Sequence, residues 1–173
     1  MTEKQEKILS AAKILFSERG YSSTSTSAIA KAAGVSEGLI FRHYGNKEGL
    51  LLEIIREGEE VVKAMLFPII MESDPKKVIK RTIELPFEVR EEDYDFWRLQ
   101  FKLKWELKNY SHEKMKPLEI SLTSAFKQLG YRSPELEAEY LIIYIEALGE
   151  AILKNLLHDK QNMKLFLLQK YNV

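Results

Sequence analysis

Few side chains in this 173-residue sequence have the type and spacing to do covalent or metal chemistry. Its three histidines, His43, His112 and His158, lie far apart, and none has a second ligand at helical spacing. With no cysteine there is no thiolate nucleophile, no Cys-based zinc site and no disulfide framework. Neither G-x-S-x-G nor a phosphate loop is present. The residues therefore predict no enzyme, no catalytic residue, no metal and no cofactor. What remains is recognition chemistry. Lys plus Arg and Asp plus Glu both number 26, so the net charge is zero and lends nucleic-acid binding no support. Residues 1–50 carry seven basic groups against five acidic ones, and the remainder carries 19 against 21. That asymmetry has the right sign for an N-terminal nucleic-acid module but is too small to argue alone.

The elements that would position such chemistry are helices. Apolar residues make up 45% and charged residues 30%, a globular balance. No apolar run approaches the ~18 residues of a membrane span. The N-terminus has no apolar stretch of a secretory signal, so the cytoplasm is expected. Thr2-x-x-Gln5 reads as a capping box, followed by an apolar stripe of Ile8, Ala11, Ala12, Leu15 and Phe16, with Gly20 as the stop. A second helix over 26–33 stops at Gly34. Ser36 caps a third over 36–43, and Asn46 caps a fourth that runs to about Leu66, before Pro68. Asp74-Pro75 opens a helix that ends near Pro86. Further helices are predicted over 92–109, 113–129, 134–157 and 160–171. One segment is ambiguous. From Trp97 to Lys108 apolar and polar residues alternate, as in a half-buried strand. It has no β-branched residue and no partner strand, so a helix is expected, with Trp97, Phe101 and Trp105 on one side and Leu99, Leu103 and Leu107 nearly opposite.

The second and third helices are joined by Ala33-Gly34-Val35-Ser36, the tight turn of a helix-turn-helix unit. Such a unit sets the start of its second helix at base edges in the major groove. Residues 8–51 resemble the DNA-binding domain of the TetR family of bacterial transcriptional regulators. The resemblance is carried by Ile8-x-x-Ala11-Ala12-x-x-Leu15-Phe16, Gly20-Tyr21, Thr24-Ser25, Ile29-Ala30-x-x-Ala33-Gly34-Val35-Ser36-x-Gly38, His43-Tyr44 and Asn46-Lys47-Glu48-x-Leu50. It implies an all-α chain. Residues 1–46 would form the DNA-binding domain, with a linking helix over 46–66, and 47–173 a helical ligand-binding and dimerisation domain.

The resemblance also implies site residues. Ser25, Thr26 and Ser27 open the second helix and match positions at phosphate or base edges. Ser36, Glu37, Gly38 and Leu39 begin the recognition helix, and Phe41, Arg42 and His43 lie along its exposed side. Lys47 matches a phosphate-contacting lysine. Three positions depart from the family's habit: Phe41 lacks the hydroxyl of a tyrosine, Gly45 replaces a basic residue, and Ser27 is short. Glu37 has two readings, an acceptor for cytosine N4 or a first-turn acid favoured by the helix dipole. His43 reads as structural or phosphate-bonded before base-reading. Tyr21 and Tyr44 read as core aromatics with wet hydroxyls.

Beyond residue 50, Tyr140 to Leu148 is apolar around most of its helix, and 160–171 adds Met163, Leu165, Phe166, Leu167 and Leu168. Such helices need burial on two sides, by one large monomer core or by a partner. The resemblance favours a homodimer through the last two helices, with Tyr140, Ile143, Ala147, Ala151 and Phe166 at its interface. Trp97, Phe101, Trp105, Phe126, Tyr140 and Tyr144 either wall an apolar effector cavity or are ordinary core. The expected function is a sequence-specific transcriptional regulator, a repressor released from a palindromic double-stranded DNA operator by a small apolar ligand. The alternatives are a helical carrier module and a nonspecific DNA binder with a weakened motif.

Overall fold

A computed structural model describes residues 1–106 and 115–173, with the side chains of all of these except 104–106. Leu107 and Lys108 of the alternating segment, and the Trp105 side chain, lie outside the described residues. The described residues form nine α-helices: α1 (Glu3–Arg19), α2 (Thr26–Ala33), α3 (Glu37–Tyr44), α4 (Lys47–Ile70), α5 (Pro75–Glu84), α6 (Tyr94–Glu106), α7 (Lys116–Gln128), α8 (Pro134–Leu153) and α9 (Lys160–Tyr171). They contain no strand, and the chain is all-α. Short 3₁₀ turns at Leu85–Phe87 and Glu91–Asp93 lead from α5 towards α6. None of the described helices is long and apolar enough to cross a membrane.

The chain divides into two compact units. The first combines Met1–Val61 with α6 from Asp95 onward; the second combines Val62–Tyr94 with α7, α8 and α9. The division falls inside α4, and α6 joins the N-terminal unit rather than its neighbours in sequence.

The first unit is built on a small core. Thr2 caps α1 by accepting from the Gln5 amide at 3.4 Å, while the Gln5 side chain accepts from the Thr2 amide at 2.8 Å. α1 thereby presents Ile8, Leu9, Ala11, Ala12, Leu15 and Phe16 inward. These pack with Ile29 and Ala30 of α2, Ile40 of α3, and Leu50, Leu51, Ile54 and Ile55 of α4. Residues 97–106 of the alternating segment form a helix whose Leu99 and Leu103 fill this core. Leu99 is 2% exposed and Leu103 1%, while Trp97 and Phe101 are half-buried. Three polar contacts reinforce this unit, the first two of them holding α6. The Lys102 ammonium donates to the Ser17 carbonyl at 2.9 Å. The buried Gln100 amide donates towards the Ile54 carbonyl at 3.5 Å. Lys13 pairs with Glu57. Gly58 leaves room for the Gln100 side chain, since a Cβ there would lie 2.3 Å from the Gln100 side-chain amide oxygen and displace it.

In the second unit Asp74 caps α5 from the N-cap position, accepting from the Lys76 amide at 2.9 Å, with Pro75 at the first helical position. Val78, Ile79 and Ile83 of α5 pack with Leu118, Leu122 and Phe126 of α7, Ala138, Leu141, Leu148 and Ile152 of α8, and Leu167 and Tyr171 of α9. The Tyr171 hydroxyl is buried without a hydrogen-bond partner, and its burial pushes the phenol pKa up.

Several expected ends are corrected. α4 does not stop near Leu66 but continues through Pro68 to Ile70. Proline removes one helical hydrogen bond, whereas Leu66 and Ile69 gain burial, and the Arg81 guanidinium donates to the Pro68 carbonyl at 3.1 Å. α8 ends at Leu153 rather than 157: Asn155 turns left-handed at φ 55°, and the Leu156 amide closes onto the Ala151 carbonyl at 2.9 Å. α6 begins at Tyr94 rather than 92, after the 3₁₀ turn.

Two substitutions test this packing by urea denaturation. Leu103→Ala should cost about 2–4 kcal/mol, because it opens a cavity in the first core. Tyr171→Phe should be neutral or stabilising by about 1 kcal/mol, because it removes an orphaned hydroxyl and leaves the ring in place.

Candidate nucleic-acid interface

Two eight-residue helices and the turns around them hold the expected DNA-facing residues. Ser25 caps α2 by accepting from the Ala28 amide at 3.1 Å. Gly34 ends α2 in the left-handed region, φ 67° and ψ 33°, and the Val35 amide closes back onto the Ala30 carbonyl at 3.0 Å. A side chain with a Cβ would be strained there. Ser36 stands at the N-cap of α3, but its side chain makes no capping hydrogen bond, contrary to expectation. The first turn of α3 is instead closed by the Leu39 amide on the Ser36 carbonyl at 3.0 Å.

α3 anchors itself through very little. Ile40 alone is fully buried, and Leu39 packs partly against the same core. The rest is turned outward: Ser36, Gly38, Phe41 and Arg42 are exposed, and Glu37 and His43 are half-exposed. Ser25 and Ser27 are exposed and Thr26 is half-buried. Gly38 serves no packing need of the protein, since a Cβ there would meet nothing within 4 Å. The structure therefore brings ten of the expected residues, Ser25 to Ser27 and Ser36 to His43, onto α2, α3 and their caps.

Two of the expected contacts are already engaged within the protein. The Thr26 hydroxyl donates to Glu37 Oε1 at 2.6 Å, joining the first residues of α2 and α3. The Lys47 ammonium donates to the carbonyls of Tyr21 and Thr24, both at 3.0 Å, and lies 4.3 Å from the centre of the Tyr21 ring. Lys47 thus ties the start of α4 to the loop that leads into α2. An ammonium has three donors, so one is left beyond these two carbonyls. Thr24, in the middle of that loop, is 2% exposed and donates to the Gly20 carbonyl at 2.8 Å. The Asn46 side chain accepts from the Gly49 amide at 2.8 Å and caps α4 as expected.

Sequence reading had missed this bracing. Lys47 lies 23 and 26 residues from its two carbonyls, and no local period marks such a pairing. The Tyr44 hydroxyl is likewise not simply wet: it donates to the Gln5 carbonyl of α1 at 3.1 Å. Tyr21 packs edge-on against Phe16 with ring centres 5.3 Å apart.

The residues expected around an effector are divided between the two units. Trp97 and Phe101 belong to the first unit, and Phe126, Tyr140 and Tyr144 to the second. Phe126 is wholly buried against Tyr131, with ring centres 4.9 Å apart. Tyr140 is 48% exposed and stacks on Tyr144 at 5.9 Å, under the Lys170 ammonium. Of the residues expected at a dimer interface, Tyr140, Ile143, Ala147 and Phe166 are exposed and Ala151 is half-buried. Among the described residues no cluster of three or more His, Asp or Glu side chains is arranged to hold a metal ion.

Comparison with known proteins agrees with this arrangement. Residues 8–54 match the family model for bacterial regulatory proteins of the tetR family. The chain is 28% identical over 170 residues to the uncharacterized HTH-type transcriptional regulator YdgC of Bacillus subtilis, covering 93% of this chain and 87% of that protein. It is 29% identical over 107 residues to the HTH-type transcriptional repressor AcnR of Corynebacterium glutamicum, covering 62% of this chain and about half (52%) of the repressor. The fold is shared with the fatty acid degradation regulator FadR of Bacillus halodurans, with a TM-score of 0.69 at 22% identity over 99% of this chain and 95% of that one.

Lys47→Met should weaken binding to all DNA sequences alike and also lower stability by about 1–3 kcal/mol, since two loop carbonyls lose their charged donor. A thermal melt beside a gel shift separates the two effects. Gly38→Ala should raise stability by about 0.5–1 kcal/mol, because the helix gains a better former with no clash. Gel-shift affinity should fall, because the added methyl stands on the surface expected to face DNA.

Proposed function

We propose that this chain, whose residues 8–54 match the family model for bacterial regulatory proteins of the tetR family, works as a homodimeric repressor released from a palindromic operator by a small apolar ligand. The observation that carries DNA binding is the division of labour in α3. Ile40 holds the helix to the core, and Gly38, Phe41 and Arg42 are left exposed along its outer side. Arg42 is the candidate base reader, since its fork of donors suits guanine O6 and N7. Ser25, Ser27 and the third donor of Lys47 would fix register on phosphates.

Pairing of two copies is supported by α8 and α9. Leu136, Tyr140, Ile143 and Ala147 recur at helical spacing and are exposed, Leu136 at 65% and Ile143 at 60%. Leu165 and Phe166 of α9 are exposed at 44% and 58%. The opposite side of α8, with Ala138, Leu141, Leu148 and Ile152, fills the core of the second unit. A helix apolar on both sides needs a second cover, and a second copy of the chain supplies it. Two recognition helices would then lie about one DNA turn apart, ~34–36 Å.

Release by ligand requires a ligand that binds one conformation better, with a coupling of about 1–3 kcal/mol. α4 contributes residues to both units, so it is the continuous element through which such a preference would be passed on. An apolar effector suits a C-terminal domain rich in aromatic side chains.

The test is a gel-shift titration at two salt concentrations on DNA flanking the protein's own gene, with unrelated DNA as competitor. A competitor-resistant shift is expected, and Arg42→Ala should weaken it by about 1–3 kcal/mol. Uniform affinity for all DNA would instead favour nonspecific binding. Ile143→Glu should convert a dimer to monomers by sedimentation and reduce operator affinity with it. A wild-type chain that sediments as a monomer at micromolar concentration would overturn the dimer.

A further inference from the structure

We propose that Thr26 and Glu37 act together as a base-selecting pair, in which Thr26 holds the Glu37 carboxylate so that its second oxygen selects cytosine, through the N4 amino group, at one position of each operator half-site. The inference rests on the DNA-binding reading above.

Glu37 is the first residue of α3 and Thr26 the first of α2, eleven residues apart. The Thr26 hydroxyl donates to Glu37 Oε1 at 2.6 Å, a short hydrogen bond to a charged acceptor. Both residues are half-buried, so the carboxylate is held at the surface rather than swinging free in water. An acid that merely complemented the α3 dipole would need no such partner. Oε2 is left to meet whatever approaches α3.

A fixed negative charge beside DNA opposes binding unless it meets a donor. The major-groove edge offers few. Guanine presents N7 and O6 and thymine presents O4, all acceptors, which a carboxylate repels. Adenine offers N6 but sets the N7 acceptor beside it. Cytosine offers N4 with no acceptor next to it on the same base. A carboxylate that cannot turn away therefore accepts cytosine and penalises the other three. Thr26 supplies the immobility, because the rotamer freedom is already lost before DNA arrives. The neighbouring residue favours close approach: Gly38 is exposed, with nothing within 4 Å of where its Cβ would be.

The experiment is selection of the full-length protein on a randomised double-stranded DNA library, read as base preference position by position. Wild type, Glu37→Gln, Thr26→Val and Thr26→Ser are compared, with a circular-dichroism melt to establish that each is folded. Wild type is expected to enrich a half-site with cytosine at one position. Glu37→Gln should lose that preference by about tenfold, or move it to adenine, which a glutamine can bond at N6 and N7. Thr26→Val should blunt the preference at that position alone, and Thr26→Ser should keep it. A wild-type motif without such a cytosine overturns the pair. So does a Glu37→Gln or Thr26→Val variant that retains every preference, or that changes affinity equally for all sequences. A wild-type protein that enriches no motif overturns the DNA-binding reading itself, and that result is distinct from the others.

Discussion

Everything at the recognition surface depends on holding two helices of eight residues that could not persist alone. A helix of this length is marginal in water even with favourable composition, because nucleation is costly and few hydrogen bonds follow it. α3 also leaves most of its surface exposed. Its apolar hold on the protein is therefore confined to Ile40 and part of Leu39. That hold works because α1 and α4 present a continuous wall, from Ile8 and Phe16 to Leu50 and Ile54, on which both short helices rest.

Where apolar contact runs out, polar groups take over. The loop between α1 and α2 has little to bury beyond Tyr21 and Thr24. It is closed by Thr24 donating to Gly20, and by Lys47 reaching two of its carbonyls. Tyr44, at the last residue of α3, bonds back to α1. The recognition surface is thus braced at its near edge by a cation and at its far end by a phenol, and Thr26 and Glu37 join the starts of α2 and α3. A residue such as Lys47 then has two duties, since the same ammonium that orders the loop retains a donor for an anion.

The second unit follows a different rule. Its helices α5, α7, α8 and α9 are each longer than α2 or α3, and its unusual feature is apolar surface left over. α8 gives one side to the core and keeps Leu136, Tyr140 and Ile143 exposed on another. α6 shows the complementary economy within the first unit. Its leucines enter the core while Trp97 and Phe101 remain half-buried on a different side. In both helices apolar residues lie on more than one side.

The helices were legible in the sequence because their signals are local. The Thr2–Gln5 capping box, Gly34 in its left-handed turn, Asn46 and Asp74 as caps, and the 3.6-residue periods all act within a few residues. That the expected contact residues fall on α2 and α3 was legible for the same reason, since the helix-turn-helix spacing carries it. The partner groups were not. Lys47 with Tyr21 and Thr24, Thr26 with Glu37, Tyr44 with Gln5, and Gln100 with Ile54 span from eleven to 46 residues of chain. α4 passed through Pro68 because burial of its neighbours outweighed one lost hydrogen bond, and α6 joined the first unit because its leucines found that core. Local propensity decides where helices begin and turn, while the pairing of side chains distant along the chain is decided only when packing brings them within hydrogen-bond reach.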